Sequence, residues 1–185
     1  MKKTIKKTDT ADLFLNVSDD SEFLSKYSPV DKPIVSSEVA EFIENSAREF
    51  HPKTPVKLTI IGSCVDESEK PVYASAIRNY FSLKQSEVGR DIARKTIVSL
   101  IFALVGIIAL IVMIVYENCF GNAVWTECID IFAWVFLWEA VDQFFIERNG
   151  LLMKRRRLES FINMEIEYIK KYGGTQAFRR FKIKF

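Results

Sequence analysis

TIVSLIFALVGIIALIVMIVY, residues 96–116, is an uncharged run in which Ser99 and Gly106 are the only internal breaks in apolarity. As a helix rising about 1.5 Å per residue it covers roughly 30 Å, the thickness of a bilayer hydrocarbon core. A core helix of a soluble domain normally keeps a polar edge and is shorter, so the run reads as a membrane span. Residues 124–146 form a second long apolar run, with Trp125, Trp134 and Trp138 and four acids, Glu127, Asp130, Glu139 and Asp142. A span that keeps Trp near its ends and turns its acids toward a neighbour fits this run better than a soluble helix does. The expected fold class is therefore an α-helical membrane protein. A two-helix transmembrane hairpin, residues 96–146, carries a small cytoplasmic α+β subdomain built from both flanks.

The distribution of Lys and Arg orients that hairpin. Arg90, Arg94 and Lys95 precede the first run; Arg148, Lys154, Arg155, Arg156 and Arg157 follow the second; residues 117–123 hold no Lys or Arg. Positive residues stay on the cytoplasmic side, so both termini are expected in the cytoplasm and the short loop outside. Arg94, Lys95 and the run from Lys154 to Arg157 are also candidate contacts for anionic lipid head groups.

The formal charge of +2 over 185 residues is too small to suggest a nucleic-acid partner. The start, MKKTIKKTDT, is basic, but no apolar segment follows it. It does not read as a cleavable signal peptide, and the first span is expected to act as the insertion signal. Of the three cysteines, Cys64 reads as a free cytoplasmic thiol, whereas Cys119 and Cys128 flank the outer loop. A disulfide between those two is one reading, and two unrelated small residues is the other. His51, the single histidine, has no Cys or second His nearby, so neither a metal nor a cofactor is expected.

Taken in order, residues 1–35 are rich in Lys, Asp, Ser and Thr and read as a flexible tail with short apolar clusters. Residues 36–95 read as helix, strand, helix. Ser36 or Ser37 is the N-cap; Val39, Phe42, Ile43, Ala47 and Phe50 form one face, ending near His51; residues 56–61 are a strand stopped by Gly62. The next helix starts near Pro71 and continues unbroken into the first span. Residues 147–185 read as a break at Asn149-Gly150, a helix to about Tyr172, and a closing strand, FKIKF, in which Phe181, Ile183 and Phe185 alternate with lysines. That strand is expected to pair with residues 56–61.

The strand LTIIG, the helical AIRNYF, the two-span hairpin and the segment WEAVDQFFIER followed by a basic helix resemble an uncharacterised family of small bacterial membrane proteins. The resemblance runs from about Val39 to Phe185. It implies a bacterial cytoplasmic (inner) membrane and no known reaction. In outline the architecture is also similar to the two-span effector modules of bacterial defence systems.

No HExxH, CxxC, GxSxG or phosphate-binding glycine loop is present, and no catalytic residue is assigned. The leading expectation is a non-enzymatic membrane protein, anchored as an interaction or regulatory component, with the bilayer, a second copy or a cytoplasmic protein as partner. The alternative is a self-assembling pore or ion-conducting effector. Glu139, Asp142 and Gln143 form the candidate intramembrane polar site, because this spacing puts them on neighbouring parts of one helix face. Glu139 falls roughly 10 Å inside the second run, where an unpaired acid costs on the order of 2–3 kcal/mol. Either an internal ion pair fixes the hairpin, with Arg94 and Lys95 closest to Asp142, or Glu139 faces another copy or an aqueous path.

Overall fold

A computed structural model describes residues 10–170. The chain is mainly helical and divides into two compact units, Met1–Ser82 with Ser160–Phe185, and Leu83–Glu159.

The first unit is built on a three-stranded sheet of β1 (Ala11–Asn16), β2 (Val56–Ile61) and β3 (Glu165–Ile169) in the order β1-β2-β3, with both pairings parallel. β2 forms where its β-branched pattern predicts, and it is central because both of its faces are apolar enough to bury. Leu58, Ile60 and, on the opposite face, Thr59 are buried. The register sets Leu13 beside Leu58 and Leu58 beside Ile166. Lys57 binds Glu167 at 2.9 Å across the outer pair of strands. α1 (Ser37–Ser46) supplies Ala40 and Ile43 to the core. The first turns of α2 (Lys70–Phe120) supply Ala76, Ile77 and Phe81. Phe81 meets Phe161 at 4.8 Å between ring centres, and Phe23 stacks on Tyr73 at 4.4 Å.

Three expectations change here. Residues 11–16, read as part of a flexible tail, are β1. Ala11, Leu13 and Leu15 are buried while Asp12, Phe14 and Asn16 are exposed, an alternation hidden among polar neighbours. Farther along, Phe23 and Val35 are also buried. The helix expected to reach Tyr172 ends at Ile162, and Glu165–Ile169 is β3. Ile166 and Ile169 suit helical spacing, but Glu-Ile-Glu-Tyr-Ile also alternates, and pairing with β2 decides between the two patterns. β2 thus pairs with β1 and β3; the strand expected over residues 181–185 lies outside the described residues. α1 also stops at Ser46, short of His51, and leaves Phe42 and Phe50 partly exposed.

The second unit holds the remainder of α2, then α3 (Ala123–Val141), a π-helical segment (Asp142–Glu147) and α4 (Arg148–Ile162), whose last residues return to the first unit. α2 is one 51-residue helix, continuous through Gly89. Gly121, at φ +63°, takes the left-handed backbone that turns the chain, and the Asn122 side chain caps α3 by accepting from the Val124 N–H. Ser99 and Gly106 lie seven apart on the inner face of α2, as Ala133 and Ala140 do on α3. A Cβ at Gly106 would stand 2.7 Å from Leu137 Cγ and 3.3 Å from the Ala133 carbonyl, so glycine permits the close approach. Phe102 and Phe136 meet at 5.7 Å in the same seam. No break occurs at Asn149-Gly150; the irregularity is the π segment just before it.

One helix, Lys70–Phe120, contains a stretch long and apolar enough to cross a membrane, and only 17% of that stretch is buried within the molecule. The expectation of two such helices is reduced to one on length and composition, because the 19 residues of α3 include Glu127, Asp130 and Glu139.

Candidate functional site: a polar groove beside Gln143

The site grows from the junction of α3 with the π segment. A π turn inserts one residue into an α-helical repeat and re-aims the side chains that follow; such turns recur at functional sites. Here it carries Gln143 inward. Gln143 is 7% exposed, and its Nε2 donates to Glu139 Oε1 at 2.7 Å. That bond uses the amide nitrogen and leaves Gln143 Oε1 buried without a partner. Glu139 itself is exposed on the outer surface of the unit and Asp142 is half-buried. The three predicted polar residues therefore divide: Glu139 and Gln143 are joined, and the joining residue faces inward.

Arg94 and Lys95 of α2 lie on the same side. Together with Asp91, Val98, Gln143 and Leu151 they line an open groove of about 510 Å³. Lys95 forms an ion pair with Glu147, at the end of the π segment. The pair between the start of the first run and the second helix thus exists, but its acid is Glu147, not Asp142 or Glu139. The reason is reach: Glu147 falls after the π segment, level with the charged turn of α2 that precedes residue 96. Arg148 turns its guanidinium over the Phe144 ring, 4.7 Å from the ring centre, and its Nε is buried without a partner. Ser99, the one hydroxyl well inside the first run, is buried and donates to the Thr96 carbonyl at 2.8 Å.

The basic run on α4 is not part of this groove. Lys154, Arg155 and Arg156 are exposed, and Arg157 is half-buried. Cys119 and Cys128 are both exposed free thiols, unbridged in this structure. Among the described residues, no group of three or more His, Cys, Asp or Glu is placed to hold a metal. Sequence reasoning passed over Asp91, Val98, Glu147, Arg148 and Leu151. Glu147 had a signal, since it stands four residues after Gln143; the π segment then broke the spacing on which such an argument relies. No protein family, curated protein or solved structure matches this chain.

Proposed function

We propose that this chain is an integral membrane protein in which residues 96–146 cross the bilayer twice. Both termini and the sheet unit lie in the cytoplasm, and the protein serves as a membrane-anchored interaction or regulatory component rather than an enzyme. In keeping with the resemblance of its motifs, the bilayer is a bacterial cytoplasmic membrane. The observation that carries this reading is the parallel pairing of β2 with β3. Everything from residue 62 to residue 164 is, in sequence, a single crossover between two hydrogen-bonded strands. A chain that leaves one sheet and returns to it crosses a bilayer an even number of times. If residues 96–116 cross, a second crossing follows before β3, and α3 is the remaining long apolar helix.

The surface supports the same reading. Ile97, Leu100, Leu104, Ile108 and Ile111 of α2 and Trp125, Trp134 and Trp138 of α3 are more than half exposed, while the seam between the helices uses small residues. Apolar outside and small inside is how helices associate in lipid, where close backbone approach replaces the hydrophobic drive. A soluble core helix would be mostly covered. The test is extraction of membranes with alkaline carbonate together with reporter fusions at both termini. The chain is expected to stay with the membrane, with reporters active in the cytoplasm. Release by carbonate, or one external terminus, overturns the reading.

A second reading, a self-assembling or ion-conducting protein, is favoured by one observation: Glu139 is exposed, and its recorded hydrogen bond is to neutral Gln143 rather than to a cation. An acid on a lipid-facing surface is costly unless a second copy, water or a proton meets it. Glu139→Gln is expected to alter oligomer size or ion flux in liposomes while the hairpin still inserts. Unchanged assembly and flux would remove this reading.

A further inference from the structure

The groove beside Gln143 has a volume typical of small-molecule sites, about 510 Å³, and a mixed lining. Arg94 and Lys95 present cationic donors, Asp91 presents an anionic acceptor, and Val98 and Leu151 add apolar wall. Gln143 supplies the most specific demand. It is 7% exposed, its nitrogen is committed to Glu139, and its carbonyl oxygen is buried without a donor. An unmatched buried acceptor costs about 1–3 kcal/mol, so a ligand that brings an N–H is favoured there.

A phosphate alone would satisfy Arg94 and Lys95, yet it would face the Asp91 carboxylate and the Gln143 carbonyl as one more acceptor. A ligand with a phosphate at one end and a protonated primary amine at the other meets both halves. We propose that this groove binds the head group of an aminophospholipid of the phosphatidylethanolamine class. The phosphate rests on Arg94 and Lys95, and the ammonium donates to Asp91 and to Gln143 Oε1. This rests on the reading of residues 96–116 as a span, since Arg94 and Lys95 immediately precede that run and would stand at head-group level. No covalent step is involved.

Phosphatidylcholine is the informative competitor, because it carries the same phosphate but its quaternary ammonium has no N–H to donate. The full chain, purified in a neutral detergent, is titrated by native mass spectrometry with phosphatidylethanolamine, phosphatidylcholine and soluble O-phosphoethanolamine. Retention of phosphatidylethanolamine about ten-fold over phosphatidylcholine is expected, the scale of one lost hydrogen bond to a charged donor. Asp91→Asn should lower that ratio toward one, whereas Arg94→Ala should weaken both lipids alike. Both residues are exposed on α2, so the fold survives either change. Equal retention of the two lipids by the unaltered chain overturns the proposal, as does an unchanged ratio in Asp91→Asn. Soluble O-phosphoethanolamine binding as tightly as the lipid would assign the groove to a free phosphoamine and overturn the lipid form. A chain that resists carbonate extraction but shows no preference loses this inference alone. A chain released by carbonate loses the spanning reading and this inference with it.

Discussion

Gly106 shows how one residue governs the seam between the two long helices of the second unit. Its missing Cβ leaves room for Leu137 and the Ala133 carbonyl. Gly106→Leu is expected to destabilise that unit by about 1–3 kcal/mol, the range for inserting bulk where nothing can yield. Gly89 is the internal control, because a Cβ there meets nothing within 4 Å. Gly89→Ala should be neutral or stabilising by up to about 1 kcal/mol. Thermal unfolding in detergent, followed by circular dichroism, compares them; a Gly106→Leu chain as stable as Gly89→Ala would show that the seam is not close-packed. In the sheet unit Tyr168 is the informative side chain. Its hydroxyl donates to the Lys70 carbonyl at 2.8 Å, and burial pushes its pKa up to about 12. The unfolded value is about 10, so the folded state holds this proton more tightly. The associated stability is complete below about pH 10 and is lost as pH rises toward 12. Tyr73, also raised by burial and by its bond to Asp20, acts in the same direction. Tyr168→Phe should therefore lower stability by about 1 kcal/mol near neutral pH and flatten, without abolishing, the alkaline decline. Equal slopes for the two chains between pH 10 and 12 would contradict the assignment.

Among the elements, legibility in the sequence followed how much of each pattern was local. The 96–116 run and β2 are self-evident, because an uncharged stretch of that length and a β-branched stretch closed by Gly62 each have few alternatives. β1 and β3 were not legible, because each has only two or three inward residues and depends on β2 for its hydrogen bonds. Parallel pairing joins strands far apart in sequence, so no hairpin turn announces it. The groove was half legible. Arg94, Lys95 and Gln143 stood out by charge or position, whereas the π segment that brings Gln143 inward and Glu147 to Lys95 leaves no periodic signal. If β1 is integral to the sheet, its core residues should matter as much as those of β2. Leu13 is 3% exposed and beside Leu58. Leu13→Ala is expected to cost about 2–5 kcal/mol, measured by urea unfolding or by protease resistance of the sheet unit. Phe14→Ala, on the exposed side of the same strand, should cost much less. Equal effects would return residues 11–16 to the tail that their composition suggested.

At the scale of the whole chain, the decisive matter is which side of a bilayer each part occupies, and the three native cysteines are placed to report it. Cys64 follows β2 in the sheet unit, where its thiol lies 3.5 Å from the Val17 carbonyl and is only partly covered. Cys119 stands at the end of α2 beside the Gly121 turn, and Cys128 lies in the second turn of α3; both are exposed. The proposed topology puts Cys119 outside, Cys128 at or just within the outer lipid boundary, and Cys64 in the cytoplasm. A membrane-impermeant maleimide added to intact cells is therefore expected to label Cys119 fully and Cys128 weakly or not at all. Cys64 should be labelled only after permeabilisation. Single-cysteine chains, with the other two positions changed to Ser, assign each signal, and the same reagents without reductant show whether Cys119 and Cys128 are free. Even crossing is the physical core of the expectation, because β2 and β3 cannot pair from opposite sides of a bilayer. Labelling of Cys64 in intact cells would reverse the orientation drawn from Lys and Arg. Labelling of all three thiols in a soluble fraction would remove the bilayer altogether. Labelling of Cys119 only after permeabilisation, with Cys64 behaving the same way, would mean that residues 96–116 do not cross, and the exposed apolar surface of α2 and α3 would then require a protein partner instead of lipid.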